Sequence, residues 1–168
     1  MEENIKRILE QYSNTVPVPV VAIAGELGAE VYESSILPDS KSGSICKKEC
    51  GGFEIVVNAN HSTNRKRFTI AHEIAHIILH SDILEKIKTF EDFSKRPVML
   101  NRENGSNNSS TKIEKDADKL AGEILMPDKI FKNVWGTSNS VEEVADYFQV
   151  SQSAANMRAG MLFKQSIY

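Results

Sequence analysis

Apolar positions along the chain follow two spacings, and the switches between them divide it into elements. From Glu3 to Tyr12 and from Val18 to Leu27 they recur every three or four residues, which predicts two helices. Pro17 and Pro19 mark the entry to the second and Gly28 its stop. AEVYES then reads as a short strand. GSICK and GGFEIVVNA, separated by KEC, read as a hairpin whose second strand is the more apolar, so a small antiparallel sheet is expected. With Asn60 and Thr63 as turn and cap residues, helical spacing resumes and runs through His80. Between Ser81 and Thr111 the periodicity fades, and NRENGSNNSST reads as a mobile loop or insertion. KIEKDADKLAGEILMP restores a helix with Ala117, Leu120, Ala121, Ile124 and Leu125 on one stripe, closed by Met126 and Pro127. SVEEVADYF and SQSAANMRAGML complete the chain as two short helices with Ser140 and Ser151 as N-caps.

Helices on either side of a small sheet make the fold class α+β. The 168 residues suffice for a real core, divided as a main domain over 1–135 and a C-terminal helical subdomain over 136–168. The formal charge of -3 argues against a sequence-independent grip on nucleic acid or an acidic membrane. The charged, helical start lacks the layout of a secretion signal, and no apolar run is long enough to span a bilayer, so a cytoplasmic protein is expected. Cys46 and Cys50 have no second pair to complete a four-cysteine metal site and read as free thiols without a functional part.

Chemistry concentrates in RFTIAHEIAHIILH. His72, Glu73 and His76 spell H-E-x-x-H, and on a helix residues four apart lie one turn above each other on one face, so two imidazoles point at one ion. Zinc takes neutral imidazole at about 2.0 to 2.1 Å, and a catalytic site combines three protein ligands with an open position. Glu73, rotated by about 100° from His72, flanks the ion and suits a base acting on water whose pKa the metal lowers toward about 7. A structural reading of the motif meets a difficulty at Glu73, because Thr69, Ile70, His76 and Ile77 are its helical neighbours and none is lysine or arginine. His80 lies about 12 Å along the axis from His72, too far for a third ligand on a straight helix, and reads as a packing residue or one supporting a ligand. His61 has no assigned part.

A third ligand has to come from another element. Taking about 100° per residue, Glu114 lies about 50° from the centre of the apolar stripe of its helix, closer than Asp118, Asp116 or Glu123. An ordinary first-turn acid favoured by the helix dipole is the alternative reading of Glu114. Asp118 is placed to accept a ring N–H from a metal-bound histidine.

Two motifs, RFTIAHEIAHIILH and E-x-x-A-D-x-L-A-G-x-I-L-M-P from Glu114 to Pro127, with a weaker match in PVPVVAIAGELGAEVY, resemble the ImmA/IrrE family of metallopeptidases. The resemblance implies a zincin-like domain of gluzincin type in which His72, His76 and Glu114 bind zinc and Glu73 is the catalytic base. Ala75 stands where the family often has glycine and Asp118 where asparagine is common. The family implies an endopeptidase acting on a helix-turn-helix transcriptional repressor, which releases gene expression. A metal-containing binding or sensing module acting through a repressor or toxin–antitoxin partner is the alternative, and Glu73 favours the peptidase because a structural site needs no base.

The tail helices resemble a helix-turn-helix, but from Gly136 onward Arg158 and Lys164 face Glu142, Glu143 and Asp146, so direct DNA binding is not expected and protein recognition or packing is. Arg65, Lys66 and Arg67 read as a solvated basic face or, more sharply, a dock for an acidic partner. GGFEIVVNA could pair its edge with an extended substrate or simply serve the sheet core. Tyr32, Tyr147, His61 and His80 are unranked candidates for stabilising an oxyanion. The oligomeric state is left open.

Overall fold

The structure, a computed structural model, describes residues 2–84 and 107–164. Glu2–Tyr12 (α1) and Val20–Glu26 (α2) lead into strand Ala29–Ser34 (β1), followed by Gly43–Lys47 (β2) and Phe53–Asn58 (β3). Helix Thr63–Leu79 (α3) and the single turn Ser81–Leu84 (α4) come next, then Asn107–Leu125 (α5), Asp128–Thr137 (α6), Val141–Phe148 (α7) and Gln152–Lys164 (α8). The α+β class holds.

The sheet has the order β1-β3-β2 and is mixed rather than wholly antiparallel. The expected hairpin is present, with Gly43 opposite Val57 and Lys47 opposite Phe53, but β1 pairs with the other edge of β3 in parallel, Ala29 opposite Phe53 and Ser34 opposite Asn58. The most apolar strand therefore takes the middle, with Ile55 and Val57 fully buried. It follows that β3 has no edge to offer a substrate, and the outer edge on the hairpin side belongs to β2.

Residues 35–42 make this topology possible by crossing the end of β3, two strand spacings or about 10 Å, to reach β2. A loop passing so close to the core must have its carbonyls satisfied. Asn58, wholly buried at the end of β3, does this: its Nδ2 donates to the carbonyls of Leu37 (3.3 Å), Pro38 (3.1 Å) and Lys41 (3.1 Å). At the opposite end of the sheet Gly52, at φ +77°, passes so near the backbone that a Cβ there would lie 2.6 Å from the Gly28 carbonyl, which also accepts the Phe53 N–H at 2.9 Å.

α3 packs against β2 and β3 on one side and most extensively against α5 on the other. Ala71 and Ala75 on α3, and Ala117 and Ala121 on α5, are all fully buried, and such small side chains allow two helix axes to approach closely. Ala75, in place of a family glycine, still meets that requirement. α5 begins at Asn107, so the last residues of NRENGSNNSST are helical rather than loop; the rest of the expected loop lies outside the described residues beyond Leu84.

α6 was not anticipated, although Ile130, Phe131, Val134 and Trp135 have helical spacing directly after Pro127; Phe131 is fully buried against Phe148. The tail helices start at Ser140 and Ser151 as expected, each hydroxyl accepting a backbone N–H, from Glu143 (3.2 Å) and Ala154 (3.1 Å). Arg158, only 3% exposed, joins α8 to the end of α5: its Nε donates to the Met126 carbonyl at 3.1 Å and its guanidinium pairs with Asp128 and Glu123. Cys46 and Cys50 are free thiols.

Candidate metal centre

Ser62 starts α3 by accepting the Arg65 N–H, and from there the helix runs between sheet and α5 so that Thr69, Ile70, Glu73, His76 and Ile77 are all buried. His72 and His76, one turn apart, bring their Nε2 atoms to 3.0 Å. Across the gap, Glu114 of α5 places Oε2 at 3.2 Å from His72 Nε2 and 3.6 Å from His76 Nε2. In a tetrahedral site with bonds of about 2.0 to 2.1 Å, ligand atoms stand about 3.3 Å apart. The three observed edges bracket that value, and the donor set of two imidazoles and a carboxylate fits a divalent ion. Among the described residues these three form the group able to hold a metal.

The two helices share the work by the same spacing rule. Asp118, one turn beyond Glu114, brings Oδ1 to 2.8 Å from His72 Nδ1, the ring nitrogen opposite the Nε2 that faces Glu114. His76 Nδ1 lies 3.0 Å from His80 Nδ1, which puts His80 on the far side of that ring and not among the converging atoms. The start of α5 at Asn107 also removes the alternative reading of Glu114, because it sits beyond the first turn, where the helix dipole gives an acid little reason to be.

Burial opposes a proton on His72, but the hydrogen bonds from Asp118 and Glu114 and the charges of Glu73 and Glu114 outweigh it, and the imidazole's pKa is pushed up to about 9. The acids thus create a field that holds a cation at this point.

Glu73 is 4% exposed and forms part of the wall of a cleft of about 340 Å³ together with His72, Asp118, Phe68, Thr69 and Gly43. Gly43 is required for the close approach of the β2 edge to α3, since a Cβ there would lie 2.6 Å from Thr69 Cγ2 and 2.7 Å from the Val56 carbonyl. Lys41, on the loop held by Asn58, is partly buried; burial lowers its pKa and the negative charge of Glu73 opposes that fall. The cation missing from the positions one turn away from Glu73 on α3 is therefore matched by Lys41, 32 positions earlier, through tertiary structure.

The basic run divides instead of forming one solvated face. Arg65 lines the cleft, its Nε and Nη2 donating to Ser42 Oγ at 3.2 and 3.0 Å; Lys66 pairs with Glu33 at 2.9 Å; Arg67 is partly buried, which lowers its pKa. Of the oxyanion candidates, Tyr32 is exposed on β1 and donates to Glu30, Tyr147 is exposed on α7, and His61 Nε2 lies 3.1 Å from the Asp39 carbonyl. None of these three, nor His80, lines the cleft.

The family model of Peptidase M78, described as the IrrE N-terminal-like domain, matches residues 24–159. The chain belongs to this family. As a member of Peptidase M78 it is of metallopeptidase type, with a metal cofactor implied and the ImmA/IrrE resemblance of its motifs accounted for. No curated protein gives a significant sequence match. A Mycobacterium tuberculosis transcriptional regulator of solved structure is similar in fold, with a TM-score of 0.60 at 14% identity over 94% of this chain. The M78 chain spans 46% of that protein's length. Among its described residues no helix is long and apolar enough to cross a membrane.

Proposed function

We propose that this M78 chain is a zinc-dependent endopeptidase that cleaves a regulatory protein, a helix-turn-helix transcriptional repressor, and thereby releases gene expression. The observation that carries the reading is the convergence of His72 Nε2, His76 Nε2 and Glu114 Oε2 beside a cleft walled by Glu73. His72, His76 and Glu114 would hold the ion, and zinc bound there supplies a Lewis acid that polarises a carbonyl and acidifies water. Glu73 takes the proton of the attacking water at a carboxylate oxygen and returns it to the leaving amide nitrogen. Arg65 brings positive charge to the same cleft, where negative charge develops on the carbonyl oxygen, and Lys41 interacts with the charge of Glu73. The outer edge of β2, unpaired among the described residues, aligns an extended segment of the substrate by main-chain hydrogen bonds. In this reading the tail over 136–168 is a helical subdomain that packs on the peptidase and recognises protein rather than DNA. The repressor substrate is supported by the family resemblance, and a regulatory setting by the fold neighbour.

The test is cleavage of a candidate helix-turn-helix repressor from the same organism, followed by mass spectrometry with zinc-loaded protein. The expected result is a defined cut, lost in Glu73→Gln by about 10² to 10⁴-fold while zinc content is unchanged. An intact repressor, with Glu73→Gln indistinguishable from the parent in cells, would refute the proposal.

A further inference from the structure

Both rings of the H-E-x-x-H pair have a second nitrogen that faces away from the converging ligand atoms, and the two nitrogens meet different chemistry. His72 Nδ1 meets a carboxylate, Asp118 Oδ1, at 2.8 Å. His76 Nδ1 meets an imidazole, His80 Nδ1, at 3.0 Å. The His76 ring is 1% exposed, so its orientation is fixed by protein and not by water.

A neutral imidazole has one N–H, and its position decides which nitrogen has a lone pair to give. For His76 Nε2 to serve a metal, the proton has to be on Nδ1. A proton on Nδ1 at 3.0 Å from His80 Nδ1 has to be donated to it, so His80 accepts there and has its own proton on Nε2. We propose that His80 is the positioning residue of His76: a neutral imidazole that accepts the Nδ1–H, selects the tautomer with Nε2 free, and holds the ring at the metal site.

The backbone fits this part. His80 is the residue at which α3 ends, its N–H donating to the His76 carbonyl at 2.9 Å, while its own carbonyl accepts the Leu84 N–H at 3.0 Å. α4 begins at the next residue, and Leu84 is 1% exposed. The backbone of a helix-terminal residue that would otherwise fray is therefore held through both its N–H and its carbonyl, with its ring 5.2 Å from that of His76 between centroids. The two rings are thus supported by different chemistry, His72 by the carboxylate of Asp118 and His76 by the imidazole of His80.

The inference rests on the proposed site of His72, His76 and Glu114, and the experiment separates the two. Zinc affinity is measured by competition with a chromophoric chelator for the full chain, for His80→Phe, which keeps a ring without an acceptor, and for His80→Asn, whose Oδ1 can stand near the place of Nδ1. Melting of each protein in excess chelator reports folding without metal. The expected result is zinc binding weaker by about 10- to 100-fold in His80→Phe and largely restored in His80→Asn. Nitrogen NMR of the zinc-loaded parent is expected to show His76 protonated at Nδ1 and His80 at Nε2. Unchanged affinity in His80→Phe, or a proton on His80 Nδ1 in the loaded protein, overturns the inference and leaves the site standing. A parent that binds no zinc overturns both, and a His80→Phe protein that does not fold passes the decision to the His80→Asn comparison and the NMR tautomers.

Discussion

If His72 is a metal ligand, as proposed, metal binding there has to displace a proton, and the raised pKa of its imidazole sets the size of that competition. With the imidazole's pKa pushed up to about 9 from an ordinary 6.5, His72 is protonated at neutral pH when the metal is absent. Zinc affinity should then rise about tenfold per pH unit between pH 7 and pH 9 and flatten above, so binding at pH 7 is about 100-fold weaker than its limit. The sign for the metal-free protein is the reverse. A folded-state pKa raised above the unfolded value adds stability that is fully present below about pH 6.5 and is lost as pH rises through about 9. The difference of about 2.5 units corresponds to about 3 kcal/mol, or a fall in melting temperature of about 6 to 12 °C for a domain of this size. Chelator competition across pH 6 to 9.5, corrected for chelator protonation, and melting scans in excess chelator measure the two trends. Asp118→Asn removes the strongest partner favouring the proton, so it should shift the affinity rise to lower pH. An affinity that is flat above pH 7 in the parent, or a rise that Asp118→Asn leaves in place, would refute the reasoning.

Three further predictions test what surrounds the ion. Lys41→Met should lower peptidase turnover and move the acid limb of its pH profile to higher pH, because the carboxylate of Glu73 loses a nearby cation; the pH dependence of kcat/KM reads this. Asn58→Ala leaves the carbonyls of Leu37, Pro38 and Lys41 without their common donor and should destabilise the fold by about 3 kcal/mol in urea denaturation. Gly43→Ala should cost about 1 to 3 kcal/mol by pushing β2 off α3, with Thr69→Ser, which removes the clashing methyl, giving back part of the loss in a double-mutant cycle.

What was legible in the sequence is what periodicity encodes. The helix of RFTIAHEIAHIILH, the inward face of Glu114 and the spacing that lets Asp118 meet a histidine of that helix follow from a 3.6-residue repeat, and the structure brings those side chains together at 2.8 to 3.6 Å. Distance along one helix was equally informative for His80, which axial rise alone separates from the converging group of His72, His76 and Glu114. Strand pairing has no such local code. Whether β1 joins β2 or β3 depends on where residues 35–42 can have their carbonyls satisfied, and the group that decides this, Asn58, reads in sequence only as a polar residue near the end of the strand GGFEIVVNA. Lys41 was hidden for the same reason: a lysine in a loop signals nothing until the loop is placed.

These two kinds of information meet at the cleft. α3 and α5 fix the converging His72, His76 and Glu114 through short-range geometry, so that site should tolerate changes in the sheet. The opposite wall depends on a loop pinned by one amide and on an edge strand seated by one glycine, both fixed by contacts distant in sequence. A substitution at Asn58 or Gly43 should accordingly leave zinc affinity close to that of the parent while raising KM for an extended substrate. Loss at the α5 face, as in Glu114→Gln, should remove the ion first. Measuring zinc content and KM on the same preparations separates the walls, and equal loss of zinc in the Asn58 and Glu114 variants would mean that the two are one cooperative unit instead.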